Sequence, residues 1–203
     1  RRTGRTLMAT IGFIGLGNMG APMAANLAKT HDVIGFDTAA KPAGLPMAES
    51  AAKAAKDADV VITMLPNGDI LRAVANDIHP AMKSDAVNLD CSTVDVESAR
   101  AVATQAESHG LQAIDAPVSG GIGGATNGTL TFMAGGDDQA FATVTPLFDI
   151  MGQKAVHCGA AGNGQAAKIC NNMILGVTMI ATCEAFDLAD KLGLDRQAMF
   201  DVV

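Results

Sequence analysis

Apolar, often β-branched runs alternate with alanine-rich amphipathic runs along the first half of the chain. The strand-like runs are Thr10–Gly15, Asp32–Asp37, Asp59–Met64, Ala86–Asp90 and Gln112–Ala116. Between them, Gly20–Lys29, Ala48–Lys56, Ile70–Asn76 and Val94–Ser108 carry apolar residues at helical spacing. Strict alternation of this kind predicts parallel strands joined by right-handed crossovers, a doubly wound α/β architecture. After Ala116 the texture changes. Composition predicts a glycine-rich loop over Ser119–Gly128, then a strand over Thr129–Ala134, a break at Gly135-Gly136, a helix over Asp138–Ile150 and a last strand near Lys154–His157.

From Gly164 to Leu192 there is no proline and one internal glycine, Gly176. The pattern predicts one helix of roughly 40 Å, well beyond the average length. Such a helix is expected to leave the first domain and found a second, giving residues 1–163 as the first domain and 164–203 as an incomplete, all-helical start of the next. Gly193 stops the helix and Asp195 caps another.

In open α/β sheets ligands bind beyond the carboxyl ends of the strands. The first such position here reads Gly15-Leu16-Gly17-Asn18-Met19-Gly20. Gly15 lets the chain turn sharply out of the strand, Gly17 lets the backbone approach a pyrophosphate, and Gly20 lets the next helix pack close to the sheet. The helix N-terminus then offers free N–H groups and a dipole end to the phosphates without a basic side chain. The fingerprint, flanked by a strand and a helix and followed by an acidic residue at the end of the second strand, predicts a Rossmann-type dinucleotide site. A carboxylate at Asp37 accepts from an adenosine ribose and repels a 2′-phosphate, so NAD is favoured over NADP; Asp37 also reads as the start of a turn. After the third strand, Leu65 and Pro66 offer apolar backbone to the cofactor. After the fourth, Thr93 offers a hydroxyl.

With 203 residues, the chain is longer than one small domain and shorter than two. Its net charge of −7 argues against a nucleic-acid partner. Cys91, Cys158, Cys170 and Cys183 lack CxxC or metal-ligand spacing and read as buried thiols of a reducing compartment; no metal site is expected. The uncharged stretch between Lys168 and Glu184 is shorter than the ~18 residues of a membrane span and reads as a buried helix, so no membrane partner is expected. Arg1–Leu7 is basic and free of acids, as in a mitochondrial presequence, whereas Met8-Ala9-Thr10 looks like a plain start. A cytoplasmic location is expected, with the mitochondrial matrix as the alternative.

An acidic protein that binds a small anion needs local donors. Ser119-Gly120-Gly121 combines a hydroxyl with consecutive backbone N–H groups, a combination that holds carboxylates but also occurs in flexible turns. Gly164, Lys168 and Asn172 are spaced by four and share one helix face. A buried lysine sheds its proton more readily, as proton transfer requires. On these residues alone, a proton-transfer lysine and a snorkelling lysine beside a polar asparagine stand equal.

Taken together, the blocks Gly12–Leu27, Met64-Leu65-Pro66, Asp90-Cys91-Ser92-Thr93, Asp115–Gly121, Gly128–Phe132 and Gly164–Met173 make the chain similar, over nearly its whole length, to the β-hydroxyacid dehydrogenases. The resemblance implies NAD-dependent oxidation of a small hydroxy carboxylate, 3-hydroxyisobutyrate to methylmalonate semialdehyde in valine breakdown. It implies Lys168 as the catalytic proton acceptor, Ser119, Gly120, Gly121 and Asn172 at the substrate, and Leu65, Pro66 and Thr93 along the cofactor with the glycine turn. It also implies a further all-helical domain, through which a homo-oligomer forms and a second lysine reaches the nicotinamide end. Sister reductases of tartronate, glyoxylate or succinic semialdehyde share the same motifs. A non-catalytic NAD-binding fragment is the alternative outside enzymes, against which Lys168 and Ser119 speak.

Overall fold

A computed structural model describes residues 8–203; the segment Arg1–Leu7, with its presequence-like charge, lies outside the described residues. The elements run β1 (Thr10–Ile14), α1 (Gly20–Leu27), β2 (Asp32–Phe36), α2 (Ala51–Ala55), β3 (Val60–Thr63), α3 (Gly68–Ile78), β4 (Val87–Asp90), α4 (Val96–Ser108), β5 (Gln112–Asp115), β6 (Val118–Ser119), α5 (Gly121–Asn127), β7 (Leu130–Gly136), α6 (Asp138–Met151), β8 (Gly152–His157), α7 (Asn163–Lys191) and α8 (Arg196–Val202). A short 3-10 turn, His79–Ala81, follows α3. The contacts divide the chain into one compact unit ending at Lys168 and a second, Ile169–Val203, so that α7 contributes residues to both.

In the first unit the sheet order is β2-β1-β3-β4-β5-β7-β6, with β8 also on β7. Strands β1 to β5 are mutually parallel. The chain leaves β1 for β2 on one side and returns to β3 on the other, so the loops after β1 and β3 diverge at the switch point where such sheets hold ligands. The far end is mixed. β5 and β6 run antiparallel to β7 in one register, Asp115 facing Gly135 and Val118 facing Phe132, as a single strand interrupted at Ala116-Pro117. β8 takes the other edge of β7, parallel to it.

The strands are covered on both faces, which is why they read as continuous apolar runs. Ile11, Phe13, Val60, Ile62, Val87 and Leu89 face one core, which includes residues of α1 and α6. Ile14 and Val61 face the other, with the alanines of α2. A Cβ on Gly12 would lie 2.3 Å from the Ala54 carbonyl, so the glycine in β1 is what lets the small-residue face of α2 settle onto the sheet.

Four expectations are corrected, the first being the break at Gly135-Gly136, both of which lie within β7 and pair with β5. The glycine-rich stretch Ser119–Gly128 is not a loop: it holds β6 and the helix α5, closed by Gly128 in the left-handed conformation (φ 65°). Low intrinsic propensity is overridden there by packing, since Ala125 and Gly124 are buried and Gly124 lies against Leu130. Of the four free cysteines only Cys91 is buried; Cys158 is half-buried, and Cys170 and Cys183 are exposed on α7. α7 itself has the expected length, but between Lys168 and Glu184 it is exposed rather than buried, with Met173, Ile174, Leu175 and Ile180 among the uncovered side chains. A unit of one helix segment and α8 has too few residues to enclose a core of its own. By length and composition alone α7 also passes for a membrane-crossing helix, with a mean hydropathy of 1.4 over 18 residues; that window tolerates a charge, which the uncharged stretch did not.

Candidate functional site

The loops that leave β1 and β3 enclose a cleft of about 450 Å³ at the switch point. Gly15, Gly17, Asn18, Met19, Gly20, Asp37, Leu65 and Pro66 all line it, as do Ile70 and Val74 of α3, which periodicity alone marks only as helix residues. Gly15 turns out of β1 at φ +93°, and a Cβ there would lie 2.3 Å from the Met64 carbonyl, so the β3 loop can close in only over glycine. A Cβ on Gly20 would sit 1.9 Å from the Gly15 carbonyl. Gly17 differs: nothing lies within 4 Å of its would-be Cβ, so its missing side chain leaves open space in the cleft.

α1 starts at Gly20 with no side-chain cap, whereas Ser50, Asn67, Asp95, Asp137 and Asp195 cap α2, α3, α4, α6 and α8. No side chain therefore competes for the N-terminus of α1, where Ala21 N donates to the Gly17 carbonyl at 3.0 Å and Pro22 has no N–H, so the turn amides ahead of them are the ones left for a pyrophosphate. Two glycine variants separate fold from ligand. Gly17→Val is expected to raise the NAD dissociation constant about tenfold to a hundredfold with the thermal midpoint of the free protein unchanged; Gly20→Val is expected to lower both affinity and midpoint. Titration of NAD and thermal melting of the two proteins check this.

Asp37 ends the strand β2 side of the cleft. One carboxylate oxygen accepts from the Leu16 N–H at 2.7 Å, the other from Ala39 and Ala40, both at 2.8 Å. Burial pushes this carboxyl up, and the amides of Ala40, Ala39 and Leu16 together outweigh it and hold it below the usual carboxylate range. A carboxylate has about four lone-pair sites, so the fixed anion keeps room for one ribose hydroxyl. Leu16 meets the cleft through this backbone link alone; its side chain is buried near Gly35. Thr93 is exposed and lies outside the cleft lining, in the segment that follows β4.

Beyond β5 and β6 lie Lys168 and the Ser119-Gly120-Gly121 turn that the resemblance assigns to the substrate. The Lys168 Nζ donates to the Val118 carbonyl at 2.7 Å, which places the amine next to Ser119 at the start of the Ser119-Gly120-Gly121 turn. Lys168 is half-buried, and that burial pulls its ammonium below the usual lysine range. Ser119 is half-buried and Gly120 and Gly121 are exposed, with positive φ at both glycines. Asn172, one turn further along α7, belongs to the second unit; it is exposed, and its Oδ1 accepts from the Asn171 amide at 3.4 Å.

Sequence patterning misses a buried polar layer beneath these loops. Asp90 closes β4 and accepts from Thr63 Oγ1 (2.7 Å), Ser92 Oγ (2.6 Å) and Ser92 N (3.1 Å); its other oxygen is buried without a partner. Asp115 closes β5 directly opposite, and its two oxygens accept from Gly162 N (2.7 Å) and Gln165 N (2.9 Å) where α7 begins. Burial pushes both carboxyls up to about 6. The only available signal was an acid at the end of an otherwise apolar strand. A larger hollow, about 590 Å³, lies around Glu107, Gln112, Asp137 and His157 at the start of β5. Its carboxylates suit neither a phosphate nor a carboxylate ligand, unlike the lining of the glycine cleft.

Residues 10–159 match the family described as the NAD binding domain of 6-phosphogluconate dehydrogenase, and residues 162–203 that described as NAD-binding of NADP-dependent 3-hydroxyisobutyrate dehydrogenase. The chain is 52% identical over 203 residues to a probable 3-hydroxyisobutyrate dehydrogenase of Mycobacterium tuberculosis, covering 97% of this chain and 69% of the relative. It is 44% identical over 205 residues to the mitochondrial 3-hydroxyisobutyrate dehydrogenase of Homo sapiens, covering 95% of this chain and 60% of that one. A solved structure of the M. tuberculosis 3-hydroxyisobutyrate dehydrogenase with L-serine superposes with a TM-score of 0.94 at 50% identity, over 97% of this chain and 70% of that one. With the glycine cleft, the open α1 terminus and Asp37 fitting NAD, the chain belongs to the β-hydroxyacid dehydrogenase family, among its 3-hydroxyisobutyrate dehydrogenases, and is an NAD-dependent hydroxyacid dehydrogenase.

Proposed function

We propose that this chain oxidises 3-hydroxyisobutyrate to methylmalonate semialdehyde, a step in valine breakdown. The observation that carries this is the placement of Lys168, a half-buried amine with a lowered proton affinity held at 2.7 Å on the Val118 carbonyl beside the Ser119-Gly120-Gly121 turn. NAD, when bound, takes the hydride from the substrate carbon. Lys168 takes the hydroxyl proton, so the alcohol becomes a carbonyl with both hydrogens accounted for. The Ser119 hydroxyl and the amides of Gly120 and Gly121 hold the substrate carboxylate, and Asn172 keeps the substrate-orienting role that the resemblance gives it. The fixed Asp37 anion favours NAD over NADP. L-serine, present with the M. tuberculosis relative, is itself a 3-hydroxy carboxylate, which supports the substrate class. The exposed apolar side chains of α7 support assembly into a homo-oligomer when the further helical domain that the resemblance implies is present.

NADH formation with 3-hydroxyisobutyrate, L-serine, glycerate, glycolate and 4-hydroxybutyrate, repeated with NADP, tests the proposal. Branched substrate and NAD are expected to give the highest kcat/KM, about 10–200-fold above 3-hydroxypropionate, which lacks the methyl group and is assayed alongside. A maximum with glycerate, glycolate or 4-hydroxybutyrate would move the chain to a sister semialdehyde reductase. Tight NAD binding without any turnover would make it a binding module.

A further inference from the structure

We propose that Gln165, seated by Asp115, is a positioning residue for hydride transfer: it holds the Ser92-Thr93-Val94 segment in fixed register with Lys168. Gln165 is completely buried in the first turn of α7, three residues before the lysine. Its amide spans the Thr93 backbone: Oε1 accepts from Val94 N at 3.1 Å, and Nε2 donates to the Ser92 carbonyl at 2.8 Å. Among the described residues no other side chain of α7 hydrogen-bonds this segment.

The connection continues into the cofactor cleft. Ser92 Oγ accepts from the Leu65 N–H at 2.8 Å and donates to Asp90 at 2.6 Å. One line of hydrogen bonds therefore joins the helix that carries Lys168 to the loop after β4 and to the loop after β3. At its other end Asp115 pins the start of α7 through Gly162 N and Gln165 N. The seat has no slack. A Cβ on Gly164 would lie 2.3 Å from the Met133 carbonyl and 2.5 Å from that of Asp115, and one on Gly135 would lie 2.7 Å from Gly164 N.

Dehydrogenation places a demand that this geometry meets. The hydride acceptor is held by loops from the strands, and the proton acceptor by α7, yet both must meet one substrate carbon and its hydroxyl within contact distance. A displacement of about 1 Å between them costs on the order of a hundredfold in rate. A buried carboxamide with donor and acceptor both committed fixes the two supports to each other more stiffly than apolar packing does.

The inference rests on Lys168 as proton acceptor, and its test is kept separate from that assignment. In the full chain, Gln165→Met keeps the length and volume of the side chain and removes both hydrogen bonds; Gln165→Glu keeps an acceptor for Val94 N and sets an oxygen against the Ser92 carbonyl. With 3-hydroxyisobutyrate and its analogue deuterated at the hydride-donating carbon, both variants are expected to lose about 10–100-fold in kcat. NAD affinity and the KM for the hydroxyacid should stay within about threefold, and the primary isotope effect on kcat should rise as hydride transfer becomes slower than product release. A merely structural glutamine would instead lower the thermal midpoint and the number of NAD sites while leaving kcat per site and the isotope effect at wild-type values. That result in either variant overturns the inference and leaves Lys168 untouched, which Lys168→Ala tests by itself.

Discussion

Lys168→Ala is expected to lower kcat for hydroxyacid oxidation by about 10²–10⁴-fold while NAD affinity changes less than a few-fold. The amine is held by the Val118 carbonyl, outside the glycine cleft, so its loss removes the proton acceptor without touching the amides of the glycine turn. Burial lowers the proton affinity of Lys168, which raises the fraction of neutral amine available near neutral pH. Oxidation needs that neutral form and the reverse reduction needs the ammonium. The rate of oxidation should therefore rise with pH through the lysine pKa, below the usual lysine range, and reduction should fall over the same interval. Lys168→Arg retains the charge but not the ability to shed a proton, and should be as inactive in oxidation as the alanine variant. Steady-state rates in both directions across pH, for the wild type and both variants, decide the matter. Retained pH-dependent oxidation in Lys168→Ala would assign the proton to another group.

The parallel half of the fold was legible because its physics is local. Strands covered on both faces must be apolar throughout, so the runs ending at Ile14, Phe36, Thr63, Asp90 and Asp115 stand out within a residue or two of their true ends. The glycine turn was equally plain, because its demands arise close to the end of β1: Gly15 lies beneath Met64, Gly20 lies against Gly15, and Gly17 leaves open space in the cleft. α5 was hidden for the opposite reason. Its glycines have no preference of their own, and the helix exists because Gly124 and Ala125 fit under Leu130. Gln165 was equally silent, since a glutamine among alanines near a helix start reads as a surface residue. Its partners Ser92 and Val94 lie 73 and 71 residues away, and only the sheet order brings them together. For α7 the periodicity gave the helix, but burial depends on a neighbour, and within Ile169–Val203 only α8 is there to provide one.

Stability is expected to fall, not rise, as the pH is raised from about 4 to about 6, because Asp90 and Asp115 titrate near 6 in the folded protein. In the unfolded chain both ionise near the ordinary carboxylate value of 3.8. Between those limits the folded state holds protons that the unfolded state has released, so the stabilising contribution is complete below 3.8 and is lost as the pH rises through the folded value. The gap between the two values corresponds to on the order of 3 kcal/mol for each carboxyl. Two effects work the other way. Asp37, Asp59 and Asp95 are held below their usual range, and their contribution disappears only as the pH falls below 3.8. His79 is buried and held below the usual histidine range, so it adds stability as the pH climbs toward 6.5. The first effect lies outside the window, and the second comes from one group set against two carboxyls. Asp90→Asn keeps an acceptor for Thr63 and Ser92 and removes the charge. Urea denaturation from pH 4 to 8 should show it as stable as the wild type or more so at pH 8, with the decline between pH 4 and 6 reduced by about half. An unchanged slope in the variant would mean that the Asp90 carboxylate is stabilised by water on its unpartnered oxygen. Because oxidation wants the neutral Lys168 and the seat of α7 loses stability as Asp115 ionises, activity and stability should favour opposite ends of this range. Saturation with NAD, which binds only the folded cleft, should raise stability across the whole range by about 2.7 kcal/mol at a hundredfold excess over its dissociation constant and leave the slope with pH in place.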